Sequence, residues 1–138
     1  MIKQLINTTT SLKNADMALL VMRIIGGGFM LAHGIPKLLK LFGGGEIKFA
    51  NPFGIGAGPS LALTVFAEVL CAALILIGFK TRLATVPLII TMLVAAFMIH
   101  GADPFGKKEL ALMYLGVYTA LLMLGSGKYS VDGAMAKA

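Results

Sequence analysis

The side chains able to do chemistry in this chain are ionisable residues embedded in, or at the ends of, apolar stretches. The first such stretch reads "MRIIGGGFMLAHGIPKLLKLF" and carries four of them, at positions 23, 33, 37 and 40. Charged groups inside a bilayer are costly and often mark proton or ligand pathways, and imidazole and carboxylate groups transfer protons. The candidates are Arg23, His33, Lys37, Glu68, His100 and Glu109.

The composition is that of an integral membrane protein. Of 138 residues, 58% are hydrophobic and 13% are charged, and the mean hydropathy is +0.90. Soluble domains contain on average about 45–50% apolar and about 25% charged residues. The length allows about four crossings of ~20 residues. The net charge of +6 is scattered over loops and ends. Because no basic stripe is interleaved with aromatic residues, we expect a lipid bilayer as partner and no nucleic acid.

Four apolar segments predict transmembrane helices at about residues 17–35, 60–79, 83–100 and 109–124. Pro36 is expected to end the first, because proline disfavours helix at the preceding residue. Residues 37–59 then form a re-entrant or interfacial loop. Short connections make neighbouring helices antiparallel, so we predict an all-α fold, an up-down four-helix membrane bundle in a single domain, residues 1–138. Six of the flanking Lys and Arg residues lie on the side of the two termini and five lie on the other side. Because the more basic side faces the cytoplasm, we predict that both termini are cytoplasmic.

This connectivity gathers most of the ionisable residues in one half of the bundle. His33, Lys37, His100 and Glu109 fall near one rim, with Glu68 roughly 12 Å below it at 1.5 Å per residue. Two histidines and two carboxylates raise the question of a metal, but no HxxxH or ExxH spacing occurs, and we expect none. Hydrogen bonds from the histidines to loop carbonyls, or to a quinone carbonyl, are the alternatives.

Arg23 lies roughly 9 Å inside the other end of the first helix. A buried charge needs a partner, and Glu68 is the deep acidic residue, so we predict an Arg23–Glu68 pair. That pair either locks two helices together or frames a proton or ligand site. A 4-3-4-3 spacing predicts one shared helix face for Arg23, Gly27, Met30, Gly34 and Lys37.

Four motifs in order resemble the DoxX family over about residues 18–132. They are "RIIGGGFMLAHGIPKL", "FAEVLCAALILIGFKTRLAT", "AAFMIHG" and "KELALMYLGVYTALLMLGSGKYSVD". The resemblance implies a four-helix protein of the bacterial plasma membrane. The positions that match the family pattern are Arg23, His33, Lys37, Glu68, Arg82, His100 and Glu109.

The resemblance also implies a redox role, since DoxD and DoxA relatives are described as thiosulfate:quinone oxidoreductase subunits and other members as partners of oxidative-stress enzymes. The leading hypothesis is therefore a quinone-linked component with quinone as its cofactor. Glu68 and His33 are the predicted catalytic residues. Arg23, Lys37, His100 and Glu109 are the predicted ligand-binding residues. A single cysteine, Cys71, provides no redox pair, which argues against thiosulfate oxidation by this chain alone.

Two other functions stay open at this level. The chain is a non-enzymatic membrane anchor or assembly factor if the loop at residues 37–59 and the basic turn at residues 80–82 recruit soluble redox enzymes. It is a small transporter if the polar cluster lines a pathway, which four short helices would form only in a homo-oligomer.

Overall fold

The computed structural model describes residues 1–137, and the regular secondary structure in this part of the chain is helical, with no strand. Three helices are long and apolar enough to cross a membrane, namely Leu12–Phe42, Ala57–Ile77 and Thr81–Ile99, so the chain is a multi-pass membrane protein. A further 20-residue helix, Phe105–Leu124, carries three charged residues, 107–109, near its start. The elements are α1 (Ile2–Ile6), α2 (Leu12–Phe42), α3 (Ala57–Ile77), α4 (Thr81–Ile99), α5 (Phe105–Leu124) and α6 (Val131–Ala136).

Helix α2 is longer than the sequence predicts, at both ends. It begins after Ser11, whose hydroxyl accepts a hydrogen bond from the Asn14 backbone N–H at 3.2 Å and so caps the helix. It also continues through Pro36, so the prediction of an end at that residue is wrong, and residues 37–42 form the last turns of α2. Proline removes one helix hydrogen bond. The helix is stabilised on both sides of Pro36 by contacts with α3, because Gly34 packs against its backbone and Lys37 pairs with Glu68.

Each of the three long apolar helices contains a π-helical segment. These segments are Ile24–Phe29 in α2, Phe66–Cys71 in α3 and Ala95–Ile99 in α4. π-Helical turns are rare and frequently lie at functional sites. The segment in α3 contains Glu68, so the deep carboxylate projects from an irregular turn near the middle of its helix.

Helix α2 lies directly on α3 through two glycines. A Cβ atom at Gly27 would be 2.7 Å from the Ala72 carbonyl oxygen, and one at Gly34 would be 2.6 Å from the Glu68 carbonyl oxygen. Such distances leave no room for a side chain, so backbone meets backbone. The predicted shared face of α2 is confirmed, because its first four members are buried and its last is half-buried: Arg23, Gly27, Met30, Gly34 and Lys37.

Helices α4 and α5 complete the core. Tyr118 of α5 is fully buried, and its hydroxyl donates a hydrogen bond of 2.7 Å to the Gly26 carbonyl oxygen of α2. This carbonyl belongs to the π-helical segment of α2. The tyrosine therefore satisfies a polar backbone group that would otherwise lie in an apolar core.

Candidate functional site: a buried ion pair between two cavities

The deep carboxylate is paired with a lysine of the first long helix. The Lys37 ammonium donates to both carboxylate oxygens of Glu68, with Nζ 2.7 Å from Oε2 and 2.9 Å from Oε1. The Glu68 side chain is 5% exposed and that of Lys37 is 32% exposed. The lysine thus compensates a charge that has almost no access to the surface of the protein.

The predicted Arg23–Glu68 pair is wrong. The Arg23 guanidinium, which is buried, donates to four backbone carbonyl oxygens at the opposite end of the molecule. Two belong to the end of α3 and two to the turn after α5. The acceptors are Ile75 at 3.0 Å, Leu76 at 2.8 Å, Ser126 at 3.3 Å and Tyr129 at 2.7 Å.

The cause of this error lies in how α3 ends. Gly78 has a φ of +74° and stops the helix, and the last carbonyls of a helix have no helical partner. Arg23 supplies donors to these groups in the fork geometry of its guanidinium. The depth of Arg23 along its helix suggested a carboxylate as its partner. The prediction overlooked the backbone carbonyls at the end of α3, which accept the same hydrogen bonds.

A first cavity, which we call cavity A, lies beside the ion pair and has a volume of about 100 Å³. His33 and Tyr114 face each other across part of it, with ring centroids 5.9 Å apart in an edge-to-face arrangement. His33 and Leu110 are both exposed, so the cavity opens sideways between α2 and α5. Its lining is Met30, His33, Lys37, Glu68, Met92, Ala95, Leu110, Ala111 and Tyr114.

Cavity A contains polar groups that the protein itself does not use. Neither the His33 ring nor the Tyr114 hydroxyl makes a hydrogen bond within residues 1–137, although Tyr114 is 7% exposed. The Tyr114 ring is buried, whereas His33 is exposed. Together with the adjacent ion pair, these two side chains offer hydrogen bonds to a ligand.

A second cavity, cavity B, of about 120 Å³, lies under the loop that joins α2 to α3. Lys37 and Glu68 line it as well, so the ion pair separates the two cavities. Its remaining lining is mainly apolar: Phe49, Pro52, Phe53, Ile55, Ser60, Leu63, Thr64, Thr91, Val94, Ala95 and Ile99.

The loop over cavity B is fixed by hydrogen bonds. The Asn51 side-chain oxygen accepts from the Gly56 backbone N–H at 3.0 Å and from the Ser60 hydroxyl at 3.4 Å. The Lys40 ammonium donates to the Lys48 carbonyl oxygen. Residues 48–56 are thereby tied to both α2 and α3 and form a cover over the cavity.

Besides Arg23, two further predicted site residues, His100 and Glu109, lie outside both cavities. His100 Nδ1 is 2.8 Å from an Asp103 carboxylate oxygen; this hydrogen bond, with nearby Lys107 and Lys108, lowers the pKa of Asp103. Glu109 is exposed near the start of α5. The structure thus brings His33, Lys37 and Glu68 together, whereas His100 and Glu109 do not join them.

The sequence analysis missed Tyr114. A usable signal was present, because Tyr114 and Tyr118 are four residues apart in an apolar segment and so share a helix face. Their rings stack with centroids 6.0 Å apart. Tyr118 supports α2, while Tyr114 reaches cavity A.

The analysis also missed Asp132, which lies at the same end of the molecule as the Arg23 guanidinium and connects the start of α6 to the start of α4. Its carboxylate accepts from the backbone N–H groups of Lys80 at 2.9 Å and Thr81 at 3.1 Å, and from the Ser126 hydroxyl at 3.2 Å. Burial raises the pKa of Asp132, but these hydrogen bonds outweigh it, and the net pKa lies below the ordinary value. Asp132 therefore stabilises the start of α4 as an anion.

Fold and site together define a multi-pass helical membrane protein with a half-buried ion pair between two small cavities. A family model for DoxX matches residues 18–101, which include α3, α4 and most of α2. The chain belongs to the DoxX family. No curated protein and no solved structure matches it. Tyr114 and Asp132 lie beyond the matched range.

Proposed function

We propose that this protein is a membrane-embedded component of a quinone-linked redox system and that a quinone binds in cavity A. One observation carries the proposal. Beside the half-buried Lys37–Glu68 pair, the cavity holds an imidazole and a phenol that make no hydrogen bond within residues 1–137. Intramembrane ionisable groups of this kind commonly serve proton transfer.

The lining of cavity A suits such a ligand. A quinone has two carbonyl oxygens, which accept hydrogen bonds, on an otherwise apolar ring. The Tyr114 hydroxyl is a donor, and the His33 ring donates in the appropriate tautomer. Met30 and Met92 provide adaptable apolar contacts for the ring. The opening between α2 and α5 allows an isoprenoid tail to remain in lipid.

The residues of this chain then have distinct roles. A bound quinone accepts two electrons and two protons, and we propose that the electrons come from a soluble redox enzyme or a reduced sulfur anion. His33 and Tyr114 orient the ligand. Glu68 passes a proton to or from the ligand, and His33, which is exposed, relays protons between the cavity and the surface.

We further propose that α5 is a fourth crossing, which makes the protein an up-down four-helix bundle in the bacterial plasma membrane with both termini in the cytoplasm. Its 20 residues span about 30 Å, the thickness of the hydrocarbon core. The charged residues at its start would lie at the interface, where long basic side chains reach water. Cavity A would then open near the outer leaflet.

The test is organic extraction of the protein purified in mild detergent, followed by mass spectrometry for quinones. Wild type should retain a stoichiometric quinone, and the E68Q and H33A variants should lose most of it. The matched controls are E109Q and H100A, which make the same changes outside the cavity. Absence of quinone above the lipid background, or equal loss in the controls, would contradict the proposal.

A further inference from the structure

An apolar groove of about 350 Å³ runs between α3 and α4 on the outside of the molecule. The small side chains of Cys71 and Ala84 are buried and form its floor, whereas larger, exposed side chains form most of its walls. Apart from one lysine, every residue of the lining is apolar. The lining consists of Phe66, Leu70, Cys71, Leu74, Lys80, Leu83, Ala84, Val86 and Pro87.

The groove has the length of one acyl chain in a bilayer. It begins at Lys80, in the turn between two helices that are long and apolar enough to cross the membrane, so this end lies at the membrane surface. It ends at Phe66, which precedes the end of α3 at Ile77 by roughly 16 Å at ~1.5 Å per residue. Half of a hydrocarbon core of ~30 Å is about 15 Å, so the groove reaches from the surface to the middle of the bilayer.

A polar pocket of about 390 Å³ adjoins the groove at the membrane surface, because Lys80 and Leu83 line both. Two exposed cations, Lys80 and Arg82, belong to its lining. The other lining residues are Thr81, Gly125, Ser126 and Asp132. A ligand with a hydrocarbon chain in the groove would therefore have its head group in a basic pocket.

The acid of this pocket does not neutralise the two cations. Asp132 accepts hydrogen bonds from the backbone N–H groups of Lys80 and Thr81 and from the Ser126 hydroxyl. Neither the Lys80 ammonium nor the Arg82 guanidinium forms an ion pair within residues 1–137. Arg82 donates one hydrogen bond, to the Met123 carbonyl oxygen, and a guanidinium has five N–H donors. Both cations can thus donate to an anionic ligand.

The backbone at Lys80 is also unusual for a lysine. Its φ of +50° lies in the left-handed region, which glycine and asparagine adopt more readily than other residues. Its ammonium makes no hydrogen bond within residues 1–137 and lies 5.9 Å from the centre of the Phe79 ring. A strained position that carries an unpaired charge at the junction of two cavities is typical of a binding residue.

We propose that the groove and the pocket together bind one anionic phospholipid, with an acyl chain in the groove and the head-group phosphate between Lys80 and Arg82. The apolar walls select the hydrocarbon chain. The two unpaired cations select a head group of net negative charge, because the ammonium of a zwitterionic head group would meet these cations and an acid whose oxygens are already in use. This site lies at the end of α3 opposite to cavity A and does not depend on the proposed quinone.

The experiment is titration of the delipidated full-length protein in non-ionic detergent with dioleoyl phosphatidylglycerol, followed by native mass spectrometry of the bound lipid. Dioleoyl phosphatidylcholine is the head-group control, and inorganic phosphate tests the pocket without the groove. K80M and K107M are the matched variants, because Lys107 is exposed and lines neither the groove nor the pocket. K80G is a second variant that should fold, since glycine adopts a positive φ without strain.

A second measurement locates the acyl chain. Phosphatidylglycerol with a photoreactive diazirine in its acyl chain is bound and irradiated, and the cross-linked peptides are identified by mass spectrometry. The cross-links should fall within residues 66–74 and 83–87. Exposed apolar residues of α5, such as Met113 and Leu122, report lipid that covers the protein without a specific site.

Wild type and K107M should bind one phosphatidylglycerol about tenfold more tightly than phosphatidylcholine, and K80M and K80G should lose most of this difference. Equal affinity for the two lipids, equal binding by K80M and K107M, inorganic phosphate binding as tight as that of the lipid, or cross-links spread evenly onto α5 would each overturn the proposal. Quinone retention should be unchanged in K80G, because Lys80 does not line cavity A. The lipid proposal and the quinone proposal can therefore fail separately.

Discussion

Gly34 of α2 is in backbone contact with Glu68 of α3. A Cβ atom at Gly34 would lie 2.6 Å from the Glu68 carbonyl oxygen and 2.9 Å from its Cβ atom. Since Lys37 is one helical turn beyond Gly34, this contact sets the distance between the ammonium and the carboxylate. The absence of a side chain at one position therefore determines the geometry of the ion pair.

Replacing Gly34 by alanine should disrupt the site. The new methyl group meets backbone atoms, which cannot move aside as a side chain can, so α2 and α3 must separate. We expect a loss of about 2–3 kcal/mol in unfolding free energy and loss of bound quinone. The measurement is thermal denaturation in detergent together with quinone extraction.

The matched control is Gly116→Ala in α5, where a Cβ atom would meet no atom within 4 Å. Alanine favours a helix interior over glycine by about 1 kcal/mol, so this variant should be as stable as wild type or more so. If both variants behave alike, close packing at Gly34 does not control the site.

Tyr114→Phe and Tyr118→Phe should have opposite consequences, although each removes one hydroxyl. The Tyr118 hydroxyl donates to the Gly26 carbonyl oxygen at 2.7 Å, so its loss should cost about 1–3 kcal/mol of stability. The Tyr114 hydroxyl has no partner within residues 1–137, so its loss should leave the melting temperature unchanged and weaken quinone retention. A large fall in stability for Tyr114→Phe would show that this hydroxyl serves the fold.

Much of the fold could be predicted from the sequence. Apolar segment lengths located the long helices, and 4-3-4-3 spacing identified the buried face of α2. The start of α2 and its passage through Pro36 were missed, because a rule about proline describes local preference, whereas Gly34 and Lys37 fix that helix through contacts with α3. Tertiary packing outweighed the local signal.

The candidate site was predicted only in part. Connectivity placed His33, Lys37 and Glu68 in one half of the bundle, and they share cavity A. The partner of Glu68 could not be predicted from depth along the helices alone. Lys37 and Arg23 lie on the same face of α2, so either could have paired with a carboxylate of α3. Which one meets Glu68 depends on the axial offset of α2 against α3, and the 4-3-4-3 spacing does not contain that offset.

Arg23→Lys should destabilise the protein although it keeps the charge. The guanidinium donates to four carbonyls on two separate elements, whereas an ammonium has three donors and no fork. At least one buried carbonyl then loses its partner, at a cost of about 1–3 kcal/mol. Thermal denaturation measures the effect. Arg82→Lys is the control, because Arg82 is exposed and makes one hydrogen bond, of 3.2 Å, to Met123, and the two substitutions should differ clearly.

Asp132→Asn should destabilise the protein in a pH-dependent way. The folded pKa of Asp132 lies below its ordinary value, so the anion contributes stability that is complete above about pH 5 and is lost as the pH falls through 4 and below. The difference in melting temperature between variant and wild type should therefore be largest near neutral pH and shrink in acid. Glu46→Gln, at an exposed position, should show no such trend. A constant difference from pH 7 to pH 3.5 would contradict the role of the charge.

Replacing Lys37 and replacing Glu68 should destabilise the protein to different extents, although each change breaks the same ion pair. In Lys37→Met the 5% exposed Glu68 carboxylate loses its hydrogen-bond donor, and removal of one partner of a buried pair costs about 3–5 kcal/mol. In Glu68→Gln the remaining ammonium is 32% exposed and can extend toward the surface, which lowers the cost. The melting temperature should thus fall more for Lys37→Met. The double variant, with no charge to compensate, should recover most of the lost stability. Equal losses from the two single variants would mean that Glu68 is less isolated from water than its burial indicates.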